Sequence, residues 1–176
     1  IASQSFLTTE HHLSSLQDKE WNFWLKLSFS PSSNNNARIY LTSDNMDLSI
    51  KPDGYFLQLG ESGALDAVRL MKSENGIETE ICSGQEGLIS TAFAISIKVV
   101  RDTIGNWKLY LDSSGGDNYS NPAIGFDSSM IVGTSTVFYC KYTISNTSKF
   151  YFDDIYVGEI QHDTIPPSIE SANVIF

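Results

Sequence analysis

Glu78 and Glu80 stand two residues apart in a stretch that reads as a strand, so both carboxylates point to one face, about 6.6 to 7 Å apart by rise. Paired carboxylates are the machinery of glycoside hydrolysis, and retaining enzymes hold them about 5 to 5.5 Å apart. A third acid in the same alternation would fall at position 82, where the chain carries Cys82. The trio is incomplete, and the expectation is a solvated acidic face on a protein that is not an enzyme. No Gly-x-Ser-x-Gly elbow occurs. The three histidines lie near the two ends of the chain, His11 and His12 at one of them, so a nucleophile with its base has no obvious seat. The glycines, including Gly115 and Gly116, form neither a phosphate loop nor a dinucleotide fingerprint.

Two other sets of residues could bind rather than react. Asp112, Asp117 and Asn118 fall in a Gly/Ser/Asn-rich loop. Hard oxygen donors on a flexible loop suit calcium, the one cofactor proposed; the alternative is that these groups are simply solvated. Trp24 and Tyr110 are read as outward-facing aromatics, Trp24 with Asn22 and Lys26 beside it, and an aromatic face among amides is how sugar rings are stacked and hydrogen-bonded. Ordinary cross-strand packing is the competing reading for each ring. Cys82 and Cys140 leave two readings open as well. One is a disulfide, worth roughly 3 to 4 kcal/mol in an extracellular protein; the other is a pair of buried thiols. No Cys-x-x-Cys spacing supports zinc.

These residues are carried by strands. Trp21, Phe23, Leu25, Leu27 and Phe29 alternate with polar partners and with Trp24, giving a long strand with one buried face. A polar loop over 31–36 breaks it, and another strand begins at Ala37. The turn at 51–54 leads into a strand over 55–59. Segments 67–72 and 77–82 are joined by 73–76, whose Asn75-Gly76 pair favours a tight hairpin. Phe93, Ile95, Ile97 and Val99 alternate, 102–106 turns, and Trp107, Leu109 and Leu111 alternate on the return. A looser stretch over 112–125 follows, then strands over 137–143 and 150–157. No sustained helical stripe occurs; 14–19 is at most one turn. Eleven or so short strands predict an all-β, antiparallel two-sheet β-sandwich.

With 176 residues, one domain with one sizeable core is expected. The formal charge of −10 without a Lys/Arg cluster argues against nucleic acid and anionic lipid as partners. No run of roughly 18 to 20 apolar residues would span a membrane. Residues 1–160 are assigned to the sandwich. Residues 161–176 contain the diproline Pro166-Pro167 and are read as a linker with the start of a following domain; the alternative makes the last residues a strand of this one.

The run 102–112, Asp-Thr-Ile-Gly-Asn-Trp-Lys-Leu-Tyr-Leu-Asp, resembles the hairpin of laminin G-like, concanavalin A-like jelly rolls. Together with 22–33, 54–63 and 150–158 it is similar to an uncharacterised module of secreted or surface proteins of Bacteroidetes, found beside lamin-tail and immunoglobulin-like domains. The match runs from about Glu20 to Gly158. It implies a jelly roll on a secreted or cell-surface protein, and the run 163–169 is in turn similar to the opening of bacterial immunoglobulin-like domains. That family has no settled activity to carry over. The expected function is a non-catalytic binding or adhesion module, with glycan and the neighbouring domains of the same chain as partners. A spacer that binds nothing and a degenerate glycoside hydrolase are the alternatives.

Overall fold

Period-two alternation of large apolar residues gives each strand one face to bury, and two such sheets can bury those faces only against each other. The computed structural model describes residues 2–48 and 51–161 and takes this form. Its strands are β1 (Ser3–Glu10), β2 (Lys19–Leu27), β3 (Asn36–Ser43), β4 (Gly54–Leu59), β5 (Val68–Glu74), β6 (Ile77–Ser83), β7 (Phe93–Arg101), β8 (Asn106–Asp112), β9 (Ala123–Phe126), β10 (Ser135–Tyr142) and β11 (Phe150–Glu159). One sheet runs β1-β10-β3-β4-β5-β6 and the other β11-β2-β7-β8-β9, all neighbours antiparallel. A single 3-10 turn at Ile144–Asn146 is the helical content among the described residues.

The expected face of β2 is the buried one: Trp21, Phe23, Leu25 and Leu27 are sealed from solvent, with Ile97, Val99 and Trp107 of the same sheet. Ile39, Leu41, Tyr55 and Leu57 close the core from the six-stranded sheet. Trp21 and Trp107 stack with centroids 5.8 Å apart, and Tyr55 reaches across to Trp107 at 4.7 Å. The Trp21 indole donates to Leu41 O at 3.1 Å, which ties the two sheets through a polar contact inside the core. Buried Arg101 lies over Trp107 and donates to the carbonyls of Leu16, Asp102, Asp127 and Ser129, so one guanidinium satisfies backbone acceptors from three connections.

Both expected hairpins form. Asn75 and Gly76 take φ of 52° and 77° between β5 and β6, the left-handed pair a two-residue turn requires. Between β7 and β8, Asp102 Oδ1 accepts the N–H groups of Ile104, Gly105 and Asn106. The N-terminal strand β1 and the short β9 were not expected, and β11 extends to Glu159.

Cys82 on β6 and Cys140 on β10 are free thiols. Four strand spacings separate their strands, about 19 Å, whereas a disulfide needs Cα atoms within about 7 Å. Of the two readings left open, the geometry is that of separate thiols. The proposed linker and following domain fall almost wholly outside the described residues.

Candidate functional site

Outward residues of β2, β7 and β11 form the floor of a cleft of about 770 Å³ on the five-stranded sheet, and the loop after β8 forms its wall. Register explains the floor. Trp24 pairs with Ser96 on one side and Asp153 on the other, and Asn22 pairs with Lys98 and Tyr156, so these side chains leave the sheet on the face opposite the core. The wall is built by Asp112. Its Oδ1 accepts from Ser114 N at 2.8 Å and Ser114 Oγ at 2.6 Å, and its Oδ2 from Asn118 N at 2.9 Å. Those hydrogen bonds hold its carboxyl below the ordinary aspartate range. The loop is thereby folded back so that Gly115, Gly116, Asp117 and Tyr119 face Trp24 and Lys98.

The polar groups at the cleft are unevenly satisfied. Buried Glu20 accepts from Asn22 Nδ2 at 2.8 Å and from Gln161 N at 3.3 Å. Asn22 Oδ1 is buried and has no partner among the described residues. Tyr156 turns its hydroxyl to Glu159 O at 2.7 Å and lends its ring to the lining. A bulge between Asp153 and Tyr156 carries Asp154 at φ 51°, and Asp154 also lines the cleft. The simple alternation that would send Asp153 and Asp154 to opposite faces is broken there, and both are exposed. Glu20, Asp117 and Asp154 against Lys98 give the lining a negative balance.

Two residue sets read separately from the sequence therefore meet at one place, with differences. Trp24 lines the cleft and is half-buried, its indole edge against the Gly115 backbone. Tyr110 stands behind the wall: its ring is edge-on to Tyr119 at 6.3 Å, and Lys98 Nζ lies over both rings, 5.5 Å from Tyr110 and 4.6 Å from Tyr119. Tyr119 is the tyrosine that reaches the lining. The sequence offers no signal for it, since it falls in a loop without a period. Asp112, Asp117 and Asn118 share the loop, but the Asp112 oxygens are taken by loop donors and only Asp117 of the three lines the cleft. Among the described residues no three His, Cys, Asp or Glu side chains converge as a cation site.

Glu78 and Glu80 lie on the outer face of the other sheet. Arg38 grips Glu78 with two hydrogen bonds of 2.9 and 3.3 Å, and Arg69 holds Glu80 at 2.8 Å. Burial alone would raise the Glu78 carboxyl, but the hydrogen bonds and charge of Arg38, with Lys51, outweigh it and keep the group below the usual glutamate range. A glycosidase acid must keep its proton near neutral pH, the opposite condition.

No protein-family model matches the chain, and no curated protein matches it in sequence. Solved structures do resemble it. The T. cruzi calreticulin globular domain is similar at 14% identity and a TM-score of 0.61, over 91% of this chain and 71% of that one. The legume lectin-like domain from Entamoeba histolytica gives 10% identity and a TM-score of 0.57, over 92% and 81%. The VIP36 exoplasmic/lumenal domain in its Ca2+/Man-bound form gives 10% and 0.56, over 97% and 82%. At such identities the likeness is one of fold, and the chain is a concanavalin A-like antiparallel jelly roll.

Proposed function

We propose that this jelly roll is a non-catalytic carbohydrate-binding module, carried on the secreted or cell-surface multidomain protein that the laminin G-like resemblance implies, and that it captures an uncharged glycan in the cleft of the five-stranded sheet. The observation that carries this reading is the meeting of the Trp24 ring with the exposed carboxylates of Asp117 and Asp154 and a folded loop wall in one cleft of about 770 Å³. Trp24 and Tyr156 offer rings for the apolar side of a pyranose, and Tyr119, with Lys98 over its ring, offers an edge. The exposed carboxylates of Asp117 and Asp154 accept hydrogen bonds from sugar hydroxyls, and their charge repels anionic ligands. At the level of fold, the likeness to a legume lectin-like domain and to VIP36, solved with Ca2+ and mannose, supports a lectin reading. The proposed capture does not route through calcium, because Asp112 is committed to its own loop. The neighbouring domains of the chain are the other proposed partners.

A glycan-array screen of the folded module with and without calcium tests the proposal. The expected result is reproducible binding to one class of neutral glycan, unchanged by chelation. A blank array from protein with an intact thermal transition would leave the spacer reading in its place.

A further inference from the structure

The acidic chain brings four of its cations together on one face. Of its eleven Lys and Arg residues, Arg38, Lys51, Arg69 and Lys141 line a groove of about 570 Å³ on the outer face of the six-stranded sheet, opposite the aromatic cleft. Glu61 and Glu78 are the acids of that lining, and Glu80 stands beside it. The groove thus carries a positive balance on a protein of net charge −10. Ion pairs to Glu61, Glu78 and Glu80 account for much of this clustering, and four cations against three carboxylates leave a surplus of one positive charge.

The cations are not equivalent. Arg69 is saturated: Nε and Nη2 hold Glu61 at 3.0 and 2.8 Å, and Nη1 holds Glu80 and Ser83. Arg38 is fixed by Glu78 and lies over the Phe56 ring at 4.7 Å. Lys51 is ion-paired with Glu78 at 3.7 Å and is well exposed, and Lys141 donates to the Ser33 carbonyl at 2.8 Å, with no carboxylate paired to it among the described residues. Lys141 is therefore without a carboxylate among the described residues and Lys51 shares Glu78 with Arg38, so these two lysines are the ammonium groups with charge left for a new anion. Gln58, Tyr40 and Tyr139 line the groove beside them. The Gln58 amide nitrogen is held by Gly60 O at 2.6 Å, which leaves its oxygen as an acceptor.

We infer that this groove is a second binding site, for a carboxylate-bearing saccharide such as a polyuronate segment, held by Lys51 and Lys141 over a floor of Gln58 and tyrosine side chains. An acidic peptide fits less well. The floor is a sheet face whose backbone groups bond to the flanking strands β10, β3, β4, β5 and β6, so it offers side-chain hydrogen bonds for ring hydroxyls rather than a free edge for a peptide backbone. The site is independent of the aromatic cleft, which carries the opposite charge.

The test is titration of an oligogalacturonate and of its methyl ester, the same sugar chain without charge, into the wild-type module. The expected result is binding of the acid at least about tenfold tighter than the ester, weakening as salt is raised from low to physiological strength. Lys51→Glu with Lys141→Glu, both near the surface, should lower that affinity at least about tenfold with an unchanged melting temperature, while Trp24→Ala leaves it intact. Equal binding of acid and ester, indifference to the lysine pair, or equal retention of poly-glutamate would overturn the inference. Loss on Trp24→Ala would assign the binding to the aromatic cleft instead and overturn it as well.

Discussion

Gly115 lies against the indole edge of Trp24 so closely that a Cβ built on it would stand 2.9 Å from Trp24 Nε1. The φ of Gly115 is 75°, a conformation that residues with a side chain adopt at a cost. Both facts make this glycine the point at which the loop wall is fitted to the aromatic floor.

Gly115→Ala should therefore act on the cleft more than on the core. The expected cost is about 1 kcal/mol of stability from the strained backbone. The loop is also pushed off Trp24, and glycan affinity falls several-fold. Calorimetry with a binding titration on the same variant checks both parts; full affinity would show that the loop does not shape the site.

Removing calcium should change little. With both Asp112 oxygens accepting from Ser114 and Asn118, added calcium is expected to move the melting temperature of chelator-treated protein by less than about 1 °C. Asp112→Ala, by contrast, releases the loop and should weaken glycan binding with or without the ion. A calcium-dependent rise of several degrees would show that the loop rearranges into a cation site.

The two cysteines should be inert in the folded state. Burial pushes both thiols up to about 12, so the thiolate is scarce at pH 8. A thiol reagent at that pH is expected to label neither cysteine in native protein and both after unfolding. Mild oxidation should leave the mass and the melting temperature unchanged; a loss of two hydrogens would require the two strands to be rearranged.

Acid should destabilise the domain through carboxylates held by cations. Burial alone would raise the Asp127 carboxyl, but Ser129, donating from N and Oγ, and Lys72 at 2.9 Å outweigh it and leave the group below the ordinary range. Glu78 is lowered in the same manner by Arg38. A folded-state value below the unfolded one gives stability that is present above the unfolded value and is lost as pH falls through the folded one. Melting temperature should thus hold from neutral pH down to the ordinary carboxylate range and drop below it. Asp127→Asn, already less stable at pH 7, should show a shallower drop.

Arg101 predicts the largest loss. Arg101→Met keeps some packing on Trp107 but leaves the buried Leu16 carbonyl and the part-buried carbonyls of Asp102, Asp127 and Ser129 without this donor, at a cost on the order of 3 kcal/mol by denaturant titration.

The sandwich was legible because alternation reports which face is buried, and Trp21 through Leu27 and Phe93 through Val99 alternate without a fault. The same rule pointed Trp24 out of the core. It had nothing to say where the period fails. β1 escaped notice because Ser3–Glu10 is exposed almost throughout and owes its conformation to pairing with β10, a partner far along the chain. The bulge at Asp154 and the fold of 113–119 over the sheet depend on single φ values and side-chain hydrogen bonds that composition does not encode. That is why Tyr119, Tyr156 and Asp154 were not foreseen, nor the placement of Lys98 over the rings of Tyr110 and Tyr119. The cationic groove was invisible for a related reason: Arg38, Lys51, Arg69 and Lys141 come from four separate segments.

The most direct test of a sugar site at Trp24 is calorimetric titration of the best array glycan into the wild type and into Trp24→Ala. A fall of at least about tenfold in affinity, near 1.4 kcal/mol, with an unchanged thermal transition is the predicted result. Undiminished affinity in the folded variant would contradict it, because the cleft would then have lost the ring that defines it without losing its ligand.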